Sequence, residues 1–359
     1  MRKKNHLPVF VLLPYFLLGL IPLSYADKRT FETEGMAHDS SGVFPEQPNQ
    51  SVDVTYLGNE GFLLEANGYK VLIDGPNTSD QGIYQTLPLP LRKKMANAEA
   101  SFNAIDLLLI THAHHDHFDP ELSVRHLLSN KRATLISTSQ VIEELARQEG
   151  YEEVKDRVIL TAAKRGEGET MAFDGIVLDI ANLNHVPNRK WEPGYRSELD
   201  NLVFLIRLGD MLIMHTGDSI FGIEQGTVKS LGWPEKHVDL VFMEYFDRSD
   251  YSRDFVLQQM KPEFIIPMHI PPGTLEQDSG NFLSVYPGAI SFTAPPEKCT
   301  FFKDGTIVRW ANGARSGRTP PDNPARVEFV SNDGKPLLFS PAAQTAGGSN
   351  TLIPPKAAD

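Results

Sequence analysis

The chain has 359 residues, 41% of them hydrophobic and 22% charged, with a formal net charge of -12. That balance suits a globular protein with ample length for a buried core, apart from an apolar first segment. The acidity repels phosphate backbones and argues against a nucleic-acid substrate. The single cysteine, Cys299, excludes an intrachain disulfide scaffold.

Residues 1–26 read as a secretory signal peptide. Arg2, Lys3 and Lys4 precede an apolar run from Leu7 to Leu23, and Ser24-Tyr25-Ala26 places small residues where a signal peptidase reads, so cleavage is expected before Asp27. An uncleaved anchor is the alternative. Pro14 and Pro22 interrupt the run, which is short for the roughly 20 apolar residues that a span needs. The expectation is an exported protein, periplasmic or secreted, with no stable membrane anchor after cleavage. Residues 27–51 are polar, carry no period and read as a flexible lead-in.

Alternating apolar residues start the fold at Val52–Gly58. Phe62–Glu65 and Tyr69–Asp74 follow as strands, joined by the hairpin signal Ala66-Asn67-Gly68. Asp74 ends a strand before Gly75-Pro76. It either accepts backbone N–H groups in that turn or steadies a metal-binding histidine from behind. Residues 76–100, with Pro88, Pro90 and Arg92-Lys93-Lys94, read as a long connection bordering a site.

Leu107–Ile110 is an apolar strand that empties into Thr111-His112-Ala113-His114-His115-Asp116-His117. Imidazole and carboxylate are the donors that hold first-row divalent metals. Asp119 as N-cap and Pro120 at the first helical position then open a helix to about Ser129. Its His126 belongs to a half-buried face rather than a metal site. A strand at Ala133–Ser137, a helix near Gln140–Glu149 ending at Gly150, and strands at Val158–Leu160 and Ile176–Ile180 continue the chain.

His185 stands just past that last strand, where the chain turns. The following stretch, residues 188–201, carries Trp191, Tyr195 and Arg196, candidate contacts for an anionic or amphipathic small molecule. A second hairpin, Leu202–Arg207 with Met211–Met214, leads to His215-Thr216-Gly217-Asp218. Strands Val238–Glu244 and Phe264–His269 each end in a polar residue. Strand ends that repeatedly bear His, Asp or Glu describe one rim. The spans 52–118 and 170–270 share this plan. Past Pro271-Pro272-Gly273 the chain reads as looser, with edge strands at Ala289–Phe292, Thr300–Phe302 and Thr306–Trp310. Cys299 reads as a buried, inert thiol. Residues 311–359 form a C-terminal extension whose tail, 341–359, reads as disordered.

The run His112-Ala113-His114-His115-Asp116-His117, then His185, Asp218 within Thr216-Gly217-Asp218, and His269 resemble the ordered metal-binding motifs of the metallo-β-lactamase superfamily of hydrolases. The resemblance covers residues 52–310. It implies an α/β fold, a four-layer αββα sandwich of two mixed β-sheets with the site along one edge. It further implies that His112, His114 and His185 hold one metal, that Asp116, His117 and His269 hold a second, and that Asp218 bridges them. His215 would pack or support from behind, His115 would brace the loop, and His237 would face solvent. Two divalent cations are implied, zinc first, with Mn2+ or Fe2+ as alternatives. Such a pair, about 3.5–4 Å apart, yields hydroxide at neutral pH and polarises the attacked oxygen. Asp116 and Asp218 are the catalytic candidates; no side chain stands out as the general acid for the leaving group, Tyr195 and Tyr245 being mere candidates.

The name-giving β-lactamases place no aspartate at the bridging position, so Asp218 turns the resemblance toward lactonases, thioesterases, phosphodiesterases and phospholipase-like members. Tyr56–Phe62 and Ile73-Asp74-Gly75 are similar to the branch of sugar-phosphate lactonases and N-acyl-phosphatidylethanolamine-type phospholipases. The expected substrate is a small molecule with an ester, lactone or phosphodiester bond. The alternatives are an iron-dependent oxidoreductase on the same fold, acting on a persulfide, and a non-catalytic metal-binding protein.

Overall fold

The computed structural model of the protein describes residues 50–78, 83–186 and 198–310, together with the backbone of a strand at 327–330. The signal-peptide reading, nearly all of the lead-in, Trp191, Tyr195, Arg196 and the 341–359 tail lie outside the described residues. Among the described residues no helix is long and apolar enough to cross a membrane.

Apolar alternation makes Ser51–Gly58 (β1), Gly61–Ala66 (β2) and Tyr69–Ile73 (β3) an antiparallel meander. The chain then crosses over three times through helices. Leu107–Leu109 (β4), Thr134–Ser137 (β5) and Val158–Leu160 (β6) therefore add in parallel. On the other side of β1 come Glu297–Phe302 (β13), Ile307–Trp310 (β14) and Val327–Val330 (β15), the last within the segment read as an extension. The second sheet repeats the plan. Gly168–Phe173 (β7), Ile176–Asn184 (β8), Asp200–Leu208 (β9) and Met211–His215 (β10) are antiparallel neighbours. Leu240–Glu244 (β11) and Phe264–Met268 (β12) then add in parallel.

Side chains of both sheets share one core, in which Val54, Phe62 and Cys299 meet Phe204, Ile213 and Phe242. Burial pushes the Cys299 thiol up to about 12, which leaves it unreactive at neutral pH. Outside the first sheet pack Leu89–Ala96 (α1), Pro120–Ser129 (α2), Ser139–Leu145 (α3) and Tyr151–Val154 (α4), over a second cluster that includes Leu108 and Leu135. Outside the second sheet lie Phe221–Ser230 (α5), Asp250–Asp254 (α6) running into a π-helical stretch at Phe255–Met260, and Leu275–Val285 (α7). They bury Phe221, Phe255, Phe282 and Tyr286 against it. The result is the expected αββα order. Central strands such as β4 are covered on both faces, which is why Leu107–Leu109 is apolar throughout.

Several local expectations need correction. Residues 76–100 contain α1, whose weak apolar period and Pro88–Pro90 start hide it in the sequence. The helix expected at Gln140–Glu149 stops at Leu145, and Gly150, at φ +83°, starts α4 instead of closing a helix. The stretch past Pro271 holds α7, and Ala289–Phe292 forms no strand, although Ile290 and Phe292 are buried in the inter-sheet core. His126 is fully buried: its imidazole contacts the Met95 carbonyl at 2.7 Å, tying α2 to α1.

Asp247, just past β11, accepts the Phe221 N–H at 2.9 Å and so holds the start of α5. It is 1% exposed, and burial raises its carboxyl to about 6. Between about pH 4 and 6 the folded chain keeps a proton that an unfolded aspartate has released, so stability falls as pH rises through that window. Asp247→Asn retains an acceptor for Phe221 and is expected to remove that slope, on the order of 2 kcal/mol above pH 6. Urea melts of both proteins at pH 4 and pH 7 measure it.

Candidate metal centre

The site lies where the strands of both sheets end. Asp74 follows β3, Thr111 to His117 follow β4, His185 follows β8, Asp218 follows β10, and His269 follows β12. Thr111 is the fastener between the layers: its carbonyl accepts the Leu202 N–H at 3.0 Å, across from the first sheet to β9 of the second. Asp74 accepts both the Thr111 N–H, at 2.8 Å, and its hydroxyl, at 2.6 Å. Asn201, buried on β9, accepts the Asp218 N–H at 3.1 Å. Gly217 makes that approach feasible. At φ +48° a Cβ there would lie 2.5 Å from Asn201 Oδ1 and 2.9 Å from Thr111 Cβ.

Two groups of donor atoms result. In the first, His114 Nδ1 is 3.1 Å from both His112 Nε2 and His185 Nε2, and Asp218 Oδ2 is 3.0 Å from His185 Nε2 and 3.9 Å from His112 Nε2. Ligand atoms around a tetrahedral zinc sit about 3.3 Å apart, given Zn–N bonds near 2.0–2.1 Å. In the second group, His117 Nε2 is 3.1 Å from Asp218 Oδ1 and 3.8 Å from Asp116 Oδ2, and His269 Nε2 is 3.1 Å from Asp116 Oδ2. The two oxygens of Asp218 thus face different groups. Buried Glu60 also comes close: Glu60, His117, Asp218 and His269 each offer a donor atom within 4.8 Å of the others.

Hydrogen-bond partners orient the rings. Asp74 Oδ2 lies 3.0 Å from His117 Nδ1, and Glu244 Oε2 lies 3.1 Å from His269 Nδ1. Thr111 Oγ1 gives its proton to Asp74 and accepts from His112 Nδ1 at 3.0 Å, while the Val186 carbonyl accepts from His185 Nδ1 at 2.6 Å. Each of these four rings has its Nδ1 engaged from behind, which turns its Nε2 toward the cluster. With His114 Nδ1, five imidazole nitrogens therefore converge with two carboxylates.

The electrostatics divide the cluster. Burial and neighbouring imidazoles hold His112 well below, and His114 at about 4, so both rings are neutral at pH 7. For His117, burial is outweighed by Asp218, Glu60 and Asp116, which raise it well above the ordinary range. Burial would raise Asp116, but His117 and His269 bring it to about 2, and it stays ionised. Buried His117 Nε2, Asp218 Oδ1, Glu244 Oε1 and both Glu60 oxygens have no hydrogen-bond partner. Orphaned acceptors and carboxylates facing one another fit a bound cation, which satisfies them together.

All seven proposed metal ligands are thus brought together, and Asp74 both closes its turn and holds His117. His215 is fully buried. Its Nδ1 accepts the Gly217 N–H and its Nε2 donates to the Glu60 carbonyl at 3.0 Å, so it fixes the backbone beneath the site. His115 and His237 are exposed, and His115 makes no bracing hydrogen bond among the described residues. Two contributors, Glu60 and Tyr84, lay outside the sequence reading of the site, and a third, Glu244, was placed on its rim without a role. Glu60 sits in a turn that resembles any solvated hairpin. Glu244 ends an apolar strand, the same signal that marked the others. Tyr84 follows no pattern, yet its ring lies 4.4 Å from that of His269.

A family model described as a beta-lactamase superfamily domain matches residues 53–269, from β1 to the last clustered histidine. The chain belongs to that superfamily. It is 27% identical over 248 residues to a UPF0173 metal-dependent hydrolase of Pelotomaculum thermopropionicum, covering 66% of this chain and 93% of that protein. A UPF0173 metal-dependent hydrolase of Salinibacter ruber is 26% identical over 234 residues, covering 64% and 90%. Among solved structures, the metallo-beta-lactamase fold protein YhfI from Bacillus subtilis aligns with 70% of this chain and 99% of its own, at 13% identity and a TM-score of 0.47.

Asp74→Asn places an amide N–H against either Thr111 or His117, setting donor against donor. Metal retained after dialysis, measured by elemental analysis, should correspond to roughly 10–100-fold weaker binding. His126→Ala should instead lower the melting temperature and leave metal content unchanged.

Proposed function

We propose that the protein is an exported metal-dependent hydrolase whose two divalent cations, zinc first, act on an ester, lactone or phosphodiester bond of a small molecule. One observation carries this reading: nitrogens of five imidazoles converge around an aspartate whose two oxygens face separate donor groups. Relatives named as metal-dependent hydrolases support the same class of activity. When bound, the cations would lower the pKa of water and stabilise negative charge on the attacked oxygen.

The chain's own groups do the rest. Asp218 holds the two positions in register through its two oxygens. Asp116, kept ionised, accepts a proton from the attacking water or orients it by a hydrogen bond. His112 and His114 enter as neutral donors, so these two rings give up no proton on loading. Tyr84 is half-buried beside His269, and burial with nearby Asp116 and Asp218 raises its phenol, which keeps its proton. It is placed to donate a hydrogen bond to substrate, a role the sequence assigned to no residue in this segment.

The purified protein should contain about two equivalents of metal by elemental analysis. His114→Ala should lose metal and activity together. A panel of lactones, thioesters and phosphodiesters identifies the bond, and failure of every class with the metal-loaded enzyme would remove the hydrolase reading. Tyr84→Phe should lower kcat by roughly 10–100-fold, the scale of one hydrogen-bond donor or less, with metal content unaltered. N-terminal sequencing of protein from the expressing cell should begin at Asp27, and an intact Met1 would refute export by cleavage.

A further inference from the structure

The two halves of the centre are backed by different chemistry. Behind His112 is the Thr111 hydroxyl, and behind His185 the Val186 carbonyl, both neutral acceptors. Behind His117 and His269 stand carboxylates. Asp74 Oδ2 and Glu60 Oε2 lie 3.0 and 3.5 Å from His117 Nδ1, and Glu244 Oε2 and Glu60 Oε1 lie 3.1 and 3.5 Å from His269 Nδ1. Glu60 therefore touches both rings at once. Glu60 and Glu244 are each 0% exposed, so neither water nor salt screens them. Both Glu60 oxygens and Glu244 Oε1 lack a hydrogen-bond partner, and Glu60 is held there by His215 through its backbone carbonyl.

We propose that Glu60 and Glu244 make the Asp116–His117–His269 half of the centre bind its cation more tightly than the His112–His114–His185 half, so that the two positions fill in that order. This rests on the two-cation reading above. Asp218 is common to both halves and does not discriminate between them. A carboxylate that accepts an imidazole N–H makes the opposite nitrogen a stronger donor than a hydroxyl or carbonyl does. Three such groups, Asp74, Glu60 and Glu244, stand behind the rings of the same half. Glu60 and Glu244 act here through their contacts with the ring nitrogens, and so are positioning residues.

The test uses metal-free, full-length protein titrated with Zn2+ alone, followed by calorimetry with elemental analysis of the products. Wild type should bind in two resolved steps. Glu60→Gln and Glu244→Gln, which keep the side-chain volume, should each weaken the first step by roughly 10–100-fold and leave the second in place. Melting of the metal-free variants checks that they fold. His114→Ala should retain the tight step, whereas His269→Ala should lose it, and this pair decides the order even if the buried glutamines prevent folding. Folded glutamine variants with a wild-type first step overturn the proposal, as does a tight step lost in His114→Ala and kept in His269→Ala. Two equivalents bound without preference overturn it while leaving the hydrolase reading intact. A wild-type chain that takes up no metal overturns both.

Discussion

The buried carboxylate of Asp74 is the constraint on which the site depends. It accepts three protons at once, from the Thr111 N–H, the Thr111 hydroxyl and His117 Nδ1. Those bonds pin the end of β3 to the first residue beyond β4, and they orient His117 and, through the Thr111 oxygen, His112. Asp74 holds φ +43° to do so, a conformation uncommon for a residue with a side chain. Such strain, of order 1–3 kcal/mol, persists where surrounding bonds over-determine it. His269, at φ +63°, is a second case, with Glu244 and Asp116 on its two ring nitrogens. The two strained residues sit on opposite sheets and meet at the same cluster.

That arrangement has an electrostatic consequence for the core. Glu60, Asp74, Asp218 and Glu244 are all within 4% of complete burial, a concentration of acid that would be costly without compensation. Among the described residues the groups facing it are imidazoles, not lysine or arginine. Imidazole suits the position because it can give its proton to a carboxylate behind and offer a lone pair in front. A lysine or arginine at the same place would neutralise the acids and leave nothing with which to hold a metal. The centre is thus organised for cations that the chain itself does not supply.

The ligand-bearing strand ends were legible because each combines an apolar run with an abrupt polar tip. That combination recurs at four separate places, after β4, β8, β10 and β12. The capped start of α2 was legible as well: Asp119 accepts the Leu122 N–H at 2.7 Å, ahead of Pro120. Helices α1 and α7 were not. Their apolar faces are short, and proline or glycine in and around them imitates a loop. Glu60 was hidden for a different reason. A hairpin glutamate is solvated unless another layer covers it, and the covering layer is formed by His215 and Glu244 from more than 150 residues away, beyond the reach of any local pattern.

The same logic shows why the bond acted upon is harder to read than the metal centre. The centre is built from strand ends, where side-chain directions are set by the pleat and locked by the inter-sheet core. The connections around the centre are less legible. One of these, at 83–88, brings Tyr84 onto His269, and another leaves β8 directly at His185. Neither has a repeating pattern that encodes where its side chains go, because a connection is shaped by what it covers and not by its own period. A fold of this kind therefore keeps the metal-binding rim apart from the connections that surround it. The Asp74–Thr111 fastening makes that separation physical. It anchors the ligands from the core side, so the solvent side is free to vary.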